Sequence, residues 1–158
     1  MTTATATTAI PETTERAERE EERERERESR NLRLVRRAYQ AFRARDVGAL
    51  LATLDPRVEW VHPDGMAEYG LGGTQRGHDG VREFLSRVPA VLGGMRLEPR
   101  EFVAAGDRVA VFGVREVTSV RGTSATLSFV HSWVLRDGLA VRMEDIFDTV
   151  EFHRLIES

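Results

Sequence analysis

The chain has 158 residues, 41% of them hydrophobic and 31% charged, which suffices for one domain with a real core and is too little for two of ordinary size. It contains no cysteine and no lysine, all 23 basic residues being arginine, which excludes disulfides, thiolate nucleophiles, Cys-ligated metals and Schiff-base chemistry. The net charge of −3 is unevenly placed: nine Glu and five Arg between Glu12 and Glu28 carry −4, so the remainder is near neutral and has no electrostatic footprint for nucleic acid.

No apolar run approaches the roughly 18 to 20 residues that cross a bilayer, and Met1–Ile10 lacks the basic and apolar regions of a secretory signal. A cytoplasmic protein without membrane partners is expected. Residues 1–14 offer nothing to a core and are expected to be disordered. In the Glu/Arg run that follows, opposite charges three apart (Glu20/Arg23, Glu22/Arg25, Glu24/Arg27) favour a helix, and like charges four apart (Arg23/Arg27, Glu24/Glu28) oppose one. Residues 1–28 therefore read as a solvated tail, disordered or a fraying helix, and 29–158 as the folded domain.

Leu32, Val35, Tyr39 and Phe42 form one apolar stripe on a first helix ending near Arg45. Asp46 is placed to cap a short second helix carrying Val47, Leu50, Leu51 and Leu54, which Asp55-Pro56 stops. Val58–Val61 reads as a strand, Pro63–Gly77 as a Gly-rich loop, and Asp79 as the start of a third helix with Val81, Phe84, Leu85 and Val88. Beyond Gly93-Gly94 the period becomes that of strands, over about 96–104, 108–120, 124–136 and 139–147, with Gly106-Asp107, Arg121-Gly122 and Asp137-Gly138 as hairpin turns. A short helix with Val150, Phe152, Leu155 and Ile156 closes the chain. Helices first and a meander after them predict an α+β fold: a curved antiparallel sheet with three to four helices, enclosing an apolar pocket for a small molecule. A long meander leaves one sheet face needing cover, so a homodimer is expected.

Asp145 is the candidate general base. It alternates with Val141, Met143 and Phe147 on the last strand, where apolar neighbours would desolvate the carboxylate and raise its pKa. The alternative is an outward Asp145 paired with Arg142. Hairpin register decides which partner it meets. A two-residue Asp137-Gly138 turn sets His131 opposite Glu144, with Asp145 on the other side. A three-residue turn beginning at Arg136, with a Gly bulge, puts His131, Trp133, Val141, Met143 and Asp145 on one face.

Val35–Asp46, Val58-Glu-Trp-Val-His62, Arg76–Phe84 and the stretch from Arg136-Asp-Gly138 through Asp145-Ile-Phe-Asp148 resemble the SnoaL-like polyketide cyclases of the nuclear transport factor 2-like superfamily, over about residues 30–157. The resemblance implies a cone-shaped α+β barrel. It also implies a catalytic Asp with a His fourteen residues before it on the preceding strand, a spacing that His131 and Asp145 match and that favours the bulged turn. In those cyclases the Asp removes a proton beside a carbonyl and the enolate closes a ring by aldol addition, without a cofactor. The implied partner is a small hydrophobic or aromatic carbonyl compound of secondary metabolism, such as antibiotic biosynthesis.

Relatives of other chemistry fit less well. Tyr39 lies about one position from the ketosteroid isomerase Tyr, and His62 stands before Pro63 where that enzyme has its Asp. The epoxide hydrolase Arg-x-Asp is represented only by Arg115-Glu-Val117. A hydroxylase-like or epoxide-opening member using Asp145 with Arg115 or His131, and a non-catalytic binding or dimerisation module, remain as alternatives. Trp60 and Trp133 offer faces on which a flat substrate could stack. His62 and Tyr69 sit near the expected pocket mouth, and Tyr39, Arg115 and Met143 complete the candidate lining. No helical His spacing or Cys supports a metal site.

Overall fold

The computed structural model describes residues 12–158. The disorder expected for residues 1–14 lies outside the described residues as far as residue 11, whereas Glu12, Thr13 and Thr14 open a helix. That helix, α1 (Glu12–Arg43), runs unbroken across Ser29. Its first half is held by ion pairs one turn apart: Glu15–Arg19, Arg16–Glu20, Glu21–Arg25 and Glu26–Arg30 at four-residue spacing, and Glu24–Arg27 at three. Four-residue pairs thus predominate over the three-residue set expected from the sequence. Each exposed pair contributes only about 0.3–0.5 kcal/mol, but together they support a helix that is polar all round. The second half turns Leu34, Val35, Ala38 and Ala41 into the core.

Between these halves α1 is fastened to the β3–β4 turn. Glu28 Oε1 accepts from the Gly106 backbone N–H at 2.9 Å, and Asn31 Nδ2 donates to Gly106 O at 3.3 Å. Next come α2 (Val47–Leu51), capped by Asp46 as expected, β1 (Leu54–His62), a 3-10 turn (Asp64–Tyr69), β2 (Gly73–Arg76) and α3 (Gly77–Val91). Strands β3 (Leu92–Ala105), β4 (Arg108–Ser119), β5 (Ser124–Arg136) and β6 (Leu139–Phe147) form the meander, and α4 (Thr149–Glu157) ends the chain. Asp148 caps α4 by accepting from the Val150 and Glu151 N–H groups.

The six strands make one sheet in the order β2-β1-β6-β5-β4-β3. All neighbours are antiparallel except β1 and β6, which run parallel. Three features escaped the sequence reading, the first being this parallel β1–β6 pairing. Asp55-Pro56 falls inside β1 rather than ending a helix, and the short β2 lies within the expected loop. Bulges bend the sheet, one in β3 between Pro99 and Glu101. Opposite it Gly113 is obligatory, since a Cβ there would stand 2.4 Å from Glu98 O and 2.8 Å from the Phe129 ring.

The β5–β6 hairpin follows neither register considered from the sequence. Its turn is the two-residue one, Asp137 and Gly138 having φ of 51° and 78°, as a type I′ turn requires. Pairing begins as Arg136↔Leu139 and Leu135↔Ala140, then shifts by one at Val134↔Arg142, leaving Val141 as a bulge. From there on His131 lies directly opposite Asp145. His131, Trp133, Ala140, Met143 and Asp145 are all buried on the inner face, and Val141 is not among them.

Replacing Glu28 by Ala is expected to cost about 1 kcal/mol in denaturant unfolding through loss of the bond to Gly106. Deleting residues 1–26 should change stability by less than about 0.5 kcal/mol while lowering helical circular dichroism.

Candidate functional site

Four strands deliver the polar side chains of the interior. On β4, Arg115 continues the inward alternation of Val109, Val111 and Val117. On β5, His131 alternates with Phe129 and Trp133; on β6, Asp145 with Met143; on β1, His62 with Val58 and Trp60. An Arg in the apolar register of a strand must meet a carboxylate, because an unpaired buried charge is prohibitive. Asp145 is that carboxylate. Arg115 Nη1 donates to Oδ2 at 2.8 Å and Nη2 to Oδ1 at 2.5 Å. The outward Asp145 paired with Arg142 is not found: Arg142 pairs on the other face with Glu59 and Glu144.

Two imidazoles complete the surroundings of the carboxylate. His131 Nε2 lies 3.2 Å from Oδ1, and His62 Nε2 lies 3.5 Å from Oδ2. Each carboxylate oxygen thus faces one guanidinium nitrogen and one imidazole nitrogen. A lone pair facing a carboxylate is repelled, which favours hydrogen on both Nε2 atoms, although the His62 contact is long for a hydrogen bond. The second nitrogen of His131 is also engaged: Tyr39 Oη donates to Nδ1 at 2.6 Å while accepting from Trp133 Nε1–H at 3.2 Å. Aromatic rings wall the cluster. The Arg115 guanidinium lies between Phe129 and Phe147, 4.9 and 4.6 Å from their centroids. His62 stacks on Phe84 of α3 at 4.1 Å.

The electrostatics overturn one expectation. Burial alone would raise the Asp145 carboxyl, but the attraction and hydrogen bonding of His131 and Arg115 outweigh it and hold the group well below the usual carboxylate range. Asp145 is buried as expected, but its pKa is shifted down, towards the anion, and not up as expected for an activated base. Burial lowers both imidazoles despite the neighbouring anion, His62 to about 4, so both are neutral at pH 7. Burial likewise raises the Tyr39 phenol.

Of the residues singled out in the sequence, Tyr39, Trp60, His62, Arg115, His131, Trp133, Met143 and Asp145 converge on this interior. Trp60 pairs with Met143 across the parallel β1–β6 contact, and the two Trp rings meet edge to face at 6.2 Å. Tyr69 instead turns to α4, its hydroxyl 3.0 Å from His153 Nδ1 and its ring against Phe152. Sequence reasoning missed Phe129, whose inward alternation with His131 was the available signal, and read Phe84 and Phe147 as apolar helix and strand positions without placing them at the site. It treated Arg115 as a candidate lining residue and a partner of Asp145 in an alternative chemistry, without using its alternation with three Val, which marks it as buried. Of two open surface clefts, one against β5, β6 and α4 is lined in part by Phe129 and Phe147, the other lies between α1 and the β5–β6 turn, and neither is lined by Asp145, His62 or Trp60. Among the described residues no group of three or more His, Asp or Glu is arranged to hold a metal ion, and no helix is long and apolar enough to cross a membrane.

This fold and interior define the protein's class. The chain belongs to the SnoaL-like domain family, which it matches over residues 35–143. Among solved structures, TerC, crystallised with polyporic acid, is 64% identical with a TM-score of 0.80, the match covering 82% of this chain and 99% of that one. An NTF2-like protein of unknown function from Burkholderia pseudomallei is 52% identical with the same TM-score, covering 82% and 98%. A further NTF2-like protein from Burkholderia xenovorans is 26% identical with a TM-score of 0.71, covering 81% and 96%. No curated protein matches the chain.

The lowered imidazoles have a consequence for stability. A buried neutral His resists protonation that the unfolded chain accepts, so the unfolded state binds more protons below pH 6.5 and stability falls as pH drops from about 6.5 towards 4. For His62 the full effect is of order 3 kcal/mol. Thermal unfolding across this range should show the decline, and His62→Phe, which keeps a ring against Phe84, should make it shallower.

Proposed function

We propose that the chain is a cofactor-independent enzyme that transfers protons on an aryl-substituted, hydroxyquinone-like carbonyl compound of secondary metabolism. One observation carries this reading: two imidazoles flank a single carboxylate that Arg115 pairs, inside an aromatic-walled interior. Preorganised charge and neutral bases beside it are what proton abstraction next to a carbonyl requires, with no redox or metal partner. The 64% identity to TerC and its polyporic acid complex support the ligand class. Polyporic acid is a dihydroxybenzoquinone carrying two phenyl rings, and Trp60, Trp133 and Tyr39 supply matching aromatic surface.

Asp145 and His131 keep the central place that the family resemblance implies, with altered roles. Asp145 orients the imidazoles and stabilises an imidazolium; the proton passes to an imidazole nitrogen. Removal of the proton leaves its electron pair on the carbonyl oxygen as an enolate. Aldol-type ring closure follows where the substrate carries a second carbonyl within reach. The chain acts in the cytoplasm as a homodimer paired through the outer face of the sheet. Supporting the dimer, register aligns Phe112, Val130 and Ile146 in one row across β4, β5 and β6 on that face, with Phe112 42% and Ile146 50% exposed.

Titration with polyporic acid should quench tryptophan fluorescence saturably, and an unresponsive chain would contradict the ligand class. With bound carbonyl compounds in D2O, carbon-bound hydrogen beside the carbonyl should exchange. Asp145→Asn should slow this exchange about 10²-fold or more, and an undiminished rate would remove Asp145 from the mechanism. Light scattering should give twice the monomer mass, and Phe112→Glu should halve it.

A further inference from the structure

Among the described residues three buried side-chain polar atoms have no hydrogen-bond partner: Trp60 Nε1, His62 Nδ1 and Arg115 Nε. Buried polar groups are normally satisfied, so each exception calls for a cause. Arg115 Nε belongs to a guanidinium already committed to Asp145 and covered by Phe129 and Phe147, so no ligand is needed to account for it. The other two are different. Trp60 and His62 alternate on β1, both turned inward, with ring centroids 6.1 Å apart. One atom is a donor. The other, on the tautomer with hydrogen on Nε2 that the facing Asp145 anion favours, is a bare lone pair.

The geometry points to Trp60 Nε1–H and His62 Nδ1 as the pair that receives the ligand, and to His62 rather than His131 as the base that takes its proton. This inference rests on the hydroxyquinone reading above and deepens it. His131 cannot serve in the same way, because both its nitrogens are occupied, one by Asp145 and one by Tyr39. A donor and an acceptor on neighbouring inward rings, their centroids 6.1 Å apart, suit a ligand that carries both a carbonyl and an O–H, as the hydroxy-carbonyl edge of a hydroxyquinone does. The carbonyl oxygen accepts from Trp60, and the hydroxyl donates to His62. For a carbon acid at the same place, the C–H bond breaks, an N–H bond forms at Nδ1, and the electron pair moves to the carbonyl oxygen held by Trp60. The proton later returns to product or solvent.

Asp145 acts here as a positioning residue. It fixes the His62 tautomer and faces the imidazolium through Nε2–H, while Phe84 holds the ring plane. The charged and titratable groups around His62 are Asp145, which favours its protonation, and His131 and Arg115, which oppose it as burial does. The result is a base that stays unprotonated well below neutrality, and it suits substrates with an unusually acidic hydrogen, as hydroxyquinones and 1,3-dicarbonyl compounds have.

The test is nitrogen NMR of the full chain labelled at its four histidines, with the His62 and His131 signals assigned from His62→Asn and His131→Asn. In the free chain near pH 7, His62 should be neutral with hydrogen on Nε2 and none on Nδ1; hydrogen on Nδ1 overturns the assignment. Adding polyporic acid should move the His62 Nδ1 signal towards the protonated position and leave the His131 proton count unchanged. Binding, seen by fluorescence, with both His62 nitrogens unmoved would sink this inference alone. Absence of binding would sink the hydroxyquinone reading and the ligand assignment with it. Trp60→Phe, provided its thermal midpoint is kept, should weaken polyporic acid binding roughly tenfold or more, and unchanged affinity would remove Trp60 from the pair.

Discussion

The interior is organised around one buried ion pair. Arg115 and Asp145 have each left water almost completely, and removing either alone from such a pair costs about 3–5 kcal/mol. That is a large part of the roughly 5–15 kcal/mol by which a domain of this size is stable. Everything nearby serves to keep the pair satisfied. Two guanidinium nitrogens and two imidazole nitrogens cover the carboxylate, and two Phe rings cover the guanidinium.

The sheet must be shaped to let these groups meet. Arg115 pairs with Leu127 on β5, whereas Asp145 pairs with His131, so the ion pair spans two strand spacings, roughly 9–10 Å, and four residues along the intervening strand. Arg115 bridges that diagonal by passing over Phe129, the residue between Leu127 and His131 on the inner face. Phe129 can lie there because Gly113 beside it has no side chain. The Val141 bulge makes the final adjustment, turning Asp145 inward opposite His131. Without that extra residue the alternation of β6 would send Asp145 to the outer face.

The same arrangement separates charge from basicity. A carboxylate that accepts from every side is stable as an anion and weak as a base. Its value to the site is the potential it imposes on two neutral rings. His131 is locked on both nitrogens through Tyr39 and Trp133, while His62 is locked on one. In the proposed mechanism the second nitrogen of His62 is the proton-accepting atom, held dry and oriented as preorganised catalysis requires.

Much of this was readable beforehand. Helical and strand periods, the cap at Asp46 and the glycine turns are local, set within a few residues by backbone sterics and hydrogen bonding. The sequence by itself determined the order of the helices and long strands and the inward stripe of α1, while the family resemblance singled out His131 and Asp145 together. Charge spacing along residues 12–28 left a disordered tail and a fraying helix both open and did not show the unbroken junction with the domain, where Glu28 and Asn31 meet a distant turn. Only the tertiary structure decided the parallel β1–β6 contact that brings His62 to Asp145, the bulge that sets the final register, and the depressed Asp145 pKa. These depend on which atoms face each other across strands far apart in the chain, and electrostatic energies in a dry interior change sign with that placement, while periodicity carries no information about it.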